Sequence, residues 1–194
     1  LEIVHNFRKK FHQTPIVLMG YYNPIYHYGI ENFVQDAVSA GVDGIIIVDL
    51  PPEEAEEFTS ISTPANLHLI RLTAPTTDAD RAKIVLSNSN GFVYYIAVAG
   101  VTGTRSADVD SIINAVAELR KHTDLPVCAG FGINSAEQAA SIAPHVDGIV
   151  VGSAIIRCIT ENLIDSKQKP DKVAITSRIT HLITSLRQAI DSAE

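Results

Sequence analysis

Two stretches decide the fold: Pro126-Val127-Cys128-Ala129-Gly130-Phe131-Gly132-Ile133-Asn134-Ser135 and Gly148-Ile149-Val150-Val151-Gly152-Ser153-Ala154-Ile155. Each opens as a short apolar strand pattern, turns at glycine and continues as a helical pattern. Such a corner delivers the chain to a helix N-terminus, where unpaired N–H groups and the helix dipole favour an anion. One glycine corner serves any tight βα turn. Two on consecutive strands point to a phosphate site, of the kind formed by the loops after strands seven and eight of a (β/α)8 barrel.

The same alternation extends back through the chain. The runs Ile16–Tyr21, Gly44–Val48, His68–Leu72, Phe92–Ala97, Pro126–Ala129 and Gly148–Val151 are short, β-branched and almost wholly apolar. That pattern predicts parallel strands covered on both faces. Helical periodicity fills the intervals near 30–40, 52–60, 77–88, 106–122, 135–143 and 153–162, and a last helix is predicted over about 171–191. Ser135 with Gln138 forms a capping box and Thr77 with Asp80 a weaker one. Gly41, in Ala40-Gly41-Val42-Asp43-Gly44, closes one helix before the next strand. Tandem βα units imply right-handed crossovers and a parallel sheet, and no linker interrupts them, so one domain over 1–194 is expected.

If the two glycine corners follow strands seven and eight, the six strands are three to eight, and the first two βα units are missing. The opening fits that count. Leu1–His12 reads as an amphipathic helix through Ile3, Val4, Phe7 and Phe11, with no N-cap residue ahead of it. The expected fold is thus α/β, a (β/α)8 barrel represented by strands 3–8.

Composition sets bounds on function. The 194 residues are 46% hydrophobic and 19% charged, as a folded domain with a sizeable core requires. The net charge is −7 and no Lys/Arg stripe occurs, which argues against nucleic-acid binding. No apolar run approaches the roughly 18 residues of a membrane span, and no secretory signal opens the chain. Cys128 and Cys158 sit in apolar stretches and read as reduced core residues. A cytoplasmic protein is expected. The seven histidines show no ligand spacing, so no metal site is predicted.

Three further segments carry candidate chemistry. Tyr94 to Ser106, containing Ala99-Gly100-Val101-Thr102-Gly103-Thr104, joins a strand to a helix and exceeds the usual length of about 2–6 residues for βα loops. It reads as a lid hinged on glycine, with Thr102 reaching the site, or as an ordinary long loop. Tyr21-Tyr22-Asn23-Pro24-Ile25-Tyr26 ends the first strand, where barrel residues contact substrate, and Asn23-Pro24 signals a turn. Asp49 ends the second strand and either faces the site or caps the helix that follows; capping is the simpler reading. A dinucleotide site fits less well, since Gly130-x-Gly132-x-x-Ser135 lacks the third glycine and no acid follows at the required distance.

Taken in order, Pro15–Tyr28, Ala40–Glu54, Ala99–Thr104, Leu125–Ile133 and Asp147–Ile155 resemble the tryptophan synthase alpha chain family over nearly the whole sequence. The resemblance implies a TIM-barrel lyase that cleaves indole-3-glycerol phosphate by an aldol-type reaction. Gly130, Phe131, Gly132, Gly152 and Ser153 would hold the phosphate end of the substrate. Thr102 and Gly103 would belong to the closing lid, Tyr21 and Tyr94 would line the indole pocket, and Thr102 and Tyr94 would support catalysis. Asn23 and Pro24 would lie where a beta subunit docks in an alpha2beta2 tetramer, and the cofactor, pyridoxal phosphate, would belong to that subunit. The family's catalytic glutamate and aspartate would lie on the two absent βα units, so these residues alone are expected to be inactive. A different phosphate-binding barrel enzyme acting on a phosphoribosyl compound, or a non-catalytic α/β binding module, are the competing readings.

Overall fold

The computed structural model describes residues 1–97, 109–130, 132–165 and 171–193. They group into two compact units, Leu1–Tyr94 with His122–Leu125, and Tyr95–Lys121 with Pro126–Glu194.

The first unit runs α1 (Glu2–Arg8), β1 (Val17–Gly20), α2 (Tyr22–Tyr28), α3 (Ile30–Ala40), β2 (Gly44–Ile47), α4 (Glu56–Ser62), β3 (His68–Leu69), β4 (Arg71–Thr73) and α5 (Ala79–Ser87), and reaches into β5 (Val93–Ile96). Strands β1, β2 and β3 are parallel and adjacent in that order, with Val17 opposite Gly44 and Ile45 opposite Leu69. All four residues of β2 are buried, as a central strand covered on both faces requires. Ile30, Val34 and Ala37 of α3 lie inward at helical spacing and join Ile45, Ile47, Phe58, Leu67 and Leu69 in the core. The helix ends at Gly41, whose φ of +96° is the left-handed conformation that glycine adopts without strain. Its N–H reaches Ala37 O and Val38 O.

The second unit carries the rest of β5, then α6 (Val109–Leu119), β6 (Val127–Gly130), α7 (Ala136–Ile142), β7 (Gly148–Ile149), α8 (Ser153–Asp165) and α9 (Lys172–Asp191). Strands β6 and β7 are parallel, with Cys128 opposite Gly148 and Ala129 opposite Ile149. Ile112, Val116 and Leu119 of α6 and Ala139 and Ile142 of α7 are buried, and α9 packs against α7 and α8. Cys128 and Cys158 are free thiols, both half-buried.

Several expectations shift on physical grounds. The opening helix stops at Arg8, well short of His12, and only Val4 of its apolar stripe is buried. Tyr22–Tyr28, read as a turn, is a helix; Pro24 sits in its first turn, where its missing N–H costs nothing. The helix placed at 52–60 is a 3-10 turn, Pro52–Glu54, followed by α4, and the third predicted strand is interrupted at Ile70. Thr77 does not cap α5. Its hydroxyl accepts from the Ala74 N–H, while the Asp78 carboxylate, the stronger acceptor, takes the Arg81 N–H at 2.8 Å. Ser135 does cap α7 through the Gln138 N–H, but the return bond from Gln138 goes to the Asn134 N–H.

One device recurs where strands begin. The Asp43 carboxylate, just before β2, accepts the Ile16 N–H at 2.7 Å and pairs with Arg8. The Asp147 carboxylate, just before β7, accepts the Val127 N–H and the Arg120 guanidinium, each at 2.8 Å. The Asn90 amide oxygen, ahead of β5, accepts the Leu69 N–H. Each acceptor is followed by glycine; Asp43 and Asp147 tie their own strands to the start of the preceding one, and Asn90 ties the approach to β5 to β3.

Burial of the Asp147 carboxyl works against its charge, but the Val127 N–H and Arg120 outweigh this and hold it below the ordinary aspartate value. A group depressed in the folded state stabilises above its unfolded pKa of about 3.9 and loses that contribution as pH falls through the folded value. Asp147→Ala should cost about 1.5–3 kcal/mol in urea unfolding at neutral pH, the range for a hydrogen bond to a charged group. Asp147→Asn should flatten the decline of stability below about pH 4.

Candidate functional site

The glycine corners stand on neighbouring strands. Ala129 O accepts the Val150 N–H at 2.8 Å, so Gly130 and Val150 lie side by side at the C-terminal ends of β6 and β7. Gly130 is buried, and its carbonyl accepts the Ala97 N–H at 3.0 Å. Gly132 has φ +76°, a conformation that disfavours a side chain. A Cβ built on Gly132 or Gly152 meets no atom within 4 Å, so both backbones border open space.

The two helices after these corners differ in what they offer an anion. In α7, Ser135 and Gln138 already take the Gln138 and Asn134 N–H groups. In α8, Gly152 O accepts from Ile155 and Ile156, while no hydrogen bond within the described residues uses the Ser153 or Ala154 N–H. Those two donors open a 13-residue helix whose dipole points its positive end at the exposed Gly152 and Ser153. Phosphate can be held there by backbone alone, which explains how an acidic chain could bind an acidic ligand.

In the first unit, Tyr21 lies between β1 and α2 and is 63% exposed. Met19, two residues back and so on the same strand face, is 58% exposed. The sequence reading missed Met19, although strand alternation from Tyr21 was enough to find it. Asn23 and Pro24 are exposed in the first turn of α2, beside exposed Tyr26 and Tyr28. Tyr94 in β5 is half-buried, on the face opposite the buried Val93 and Tyr95. Thr102, Gly103 and Phe131 lie outside the described residues.

Asp49 does cap a helix, though not the one that follows it. Its carboxylate accepts the Tyr22 N–H at 2.7 Å and so secures the start of α2. Tyr22 is thereby fixed, and its phenol donates to Glu57 at 3.1 Å. Burial, reinforced by that hydrogen bond and the Glu57 charge, pushes the Tyr22 phenol up to about 12, which makes it a structural donor at neutral pH. Among the described residues no cluster of three His, Cys, Asp or Glu could hold a metal, and no helix is long and apolar enough to cross a membrane.

Parallel βα units with glycine corners at the C-terminal ends of neighbouring strands define an α/β protein of the (β/α) barrel class. The model of the tryptophan synthase alpha chain family matches residues 1–184, and the chain belongs to that family, whose fold is the TIM barrel and whose role is that of a lyase in tryptophan biosynthesis. A crystal structure of tryptophan synthase subunit alpha from Legionella pneumophila is 37% identical, with a TM-score of 0.85 over 98% of this chain and 68% of that one. A chain of the tryptophan synthase α2β2 complex from Pyrococcus furiosus is 33% identical, with a TM-score of 0.83, covering 96% of this chain and 72% of that one.

The glycines can be told apart by substitution. Gly152→Ala places its methyl in open space and should cost no more than about 1 kcal/mol, the loss of a favourable N-cap residue. Gly148→Ala would set a Cβ 2.7 Å from Cys128 Sγ, and overpacking of that kind costs about 1–3 kcal/mol. Thermal or urea melts of the two variants check the difference.

Proposed function

We propose that this chain carries the phosphate-gripping part of an aldol-type lyase that cleaves indole-3-glycerol phosphate to indole and glyceraldehyde 3-phosphate. The observation that carries the reading is the pair of glycine corners on β6 and β7, with unused N–H groups at Ser153 and Ala154 beside open space. Gly130, Gly132, Gly152 and Ser153 form the cradle, with Phe131 between the first two, and the N-terminus of α8 supplies the charge complement. Anchoring the phosphate holds the glycerol chain in one orientation, and such positioning alone supplies a sizeable share of a rate enhancement. Tyr21 and Tyr94 supply apolar surface to the indole ring, and Thr102 and Gly103 belong to the loop that covers the substrate.

Cleavage breaks the bond between an indole ring carbon and the glycerol carbon attached to it. A general acid must protonate that ring carbon while a base takes a hydroxyl proton from the glycerol chain. Each such group contributes typically about 10²–10⁴-fold. The family resemblance assigns these tasks to a glutamate and an aspartate on two βα units with no counterpart in this sequence. Asp49, a carboxylate just past the end of β2, accepts the Tyr22 N–H. An indole-release assay of these 194 residues by themselves is expected to show none. The cofactor of the coupled reaction, pyridoxal phosphate, belongs to a beta subunit, and exposed Asn23 and Pro24 on α2 form part of the surface that meets it in an alpha2beta2 assembly.

Gly152→Asp puts a carboxylate at the mouth of the cradle without touching the core. It should weaken binding of inorganic phosphate or substrate at least about tenfold, or ~1.4 kcal/mol, with the fold intact by circular dichroism. Calorimetric titration showing unchanged affinity would remove the cradle, and the assignment of substrate with it.

A further inference from the structure

A buried arginine in the first unit stands apart, in sequence and in kind, from the glycine corners. Arg71 of β4 is only 4% exposed. Its Nη1 donates to Leu50 O at 2.9 Å, but Nε and Nη2 have no hydrogen-bond partner among the described residues. Those two nitrogens share one edge of the guanidinium plane, and their N–H bonds run parallel, in the fork that matches two oxygens of a carboxylate or phosphate. A buried guanidinium stays charged, and an uncompensated buried charge is costly.

The space beside it suits a ligand. Arg71 lines a cavity of about 430 Å³ at the C-terminal ends of β2 and β4, with Val48, Leu50, Pro52, Thr77 and Arg81 among the other walls. That volume lies within the range of small-molecule sites. The charged neighbours are already committed. Arg81 forms a two-point ion pair with Glu53, and Asp49 accepts the Tyr22 N–H. Thr77 Oγ1 accepts from the Ala74 N–H and keeps its own proton to donate. Burial lowers the affinity of Arg71 for its proton and the Glu53 charge opposes this, but Glu53 makes no hydrogen bond to it.

We propose that this pocket is an oxyanion site for a small molecule, whose carboxylate or phosphate group is held side-on by Arg71 Nε and Nη2 with the Thr77 hydroxyl beside it. The site is independent of the glycine cradle, and either can fail alone. Proton–nitrogen NMR of the arginine Nε–H groups reads it directly, with the Arg71 signal assigned by its loss in Arg71→Lys. The titrants are acetate and inorganic phosphate, added separately to the Gly152→Asp variant so that the cradle does not respond. The expected result is a saturable shift of the Arg71 signal, with a Kd in the millimolar range or tighter for at least one of them. No shift with either anion overturns the proposal. So does a displacement of the same signal by Glu53→Gln in the absence of added anion, since Glu53 would then already occupy the edge. As a second readout, an anion that binds should raise the melting temperature of Gly152→Asp, and the rise should vanish when Arg71→Met is added. A rise that survives Arg71→Met counts against the site.

Discussion

The structure depends on a short-range electrostatic tie at the start of its strands. A parallel strand cannot be joined to its neighbour by a tight hairpin; the chain must leave, form a helix and return, so register is not set by a turn. Asp43, Asn90 and Asp147 meet that need. Asp43 and Asp147 each stand one residue ahead of a strand-opening glycine and accept a backbone N–H from the start of the strand before it, and Asn90, ahead of β5, accepts the Leu69 N–H of β3. A one-residue slip would bury the wrong residues and would also leave a charged or polar acceptor without its donor. Arg8 and Arg120 add a further constraint at the two aspartates, by joining the segment ahead of the earlier strand to the same carboxylate.

The two ends of the strands are thus treated oppositely. At their starts the donors are consumed by side chains. At the C-terminal ends of β6 and β7, the Ser153 and Ala154 N–H groups have no acceptor among the described residues, and Gly132 and Gly152 border open space. Rigidity at one end is what makes unpaired groups at the other end useful, because a binding site needs donors fixed in position before the ligand arrives. Asp49 is instructive because it sits at the functional end yet behaves like the acceptors at the opposite end, holding the first turn of α2.

Much of this could be read from the sequence. The alternation of apolar runs and helical periods located the strand regions among the described residues, because strands covered on both faces are almost wholly apolar. The glycine corners were visible for the same reason that they matter, since few other residues make that turn. Other features were hidden. Tyr22–Tyr28 was masked by Asn23-Pro24, a turn signal in isolation and an acceptable first helical turn once Asp49, 27 residues away, supplies the cap. The cap on α5 fell at Asp78 instead of Thr77 because the choice between adjacent acceptors depends on where the preceding turn places Ala74. The first outcome rests on a contact that no local window contains, and the second on a turn geometry that residue types alone do not fix.

Arg71 was hidden for a related reason. It lies inside the His68–Leu72 strand run, whose pattern alone marks no site there. The structure buries it and leaves one edge of its guanidinium bare. Proteins hold anions either with backbone dipoles or with formal charge. The corner at Gly152 uses the first, with little desolvation cost when the ligand is absent, since amides at a helix end are neutral and exposed. Arg71 would use the second, and the cost of a buried cation persists until an oxyanion arrives. A position that served stability alone would be better filled by an apolar residue of similar volume. Keeping arginine there makes physical sense when the open edge and the cavity beside it have a ligand to receive.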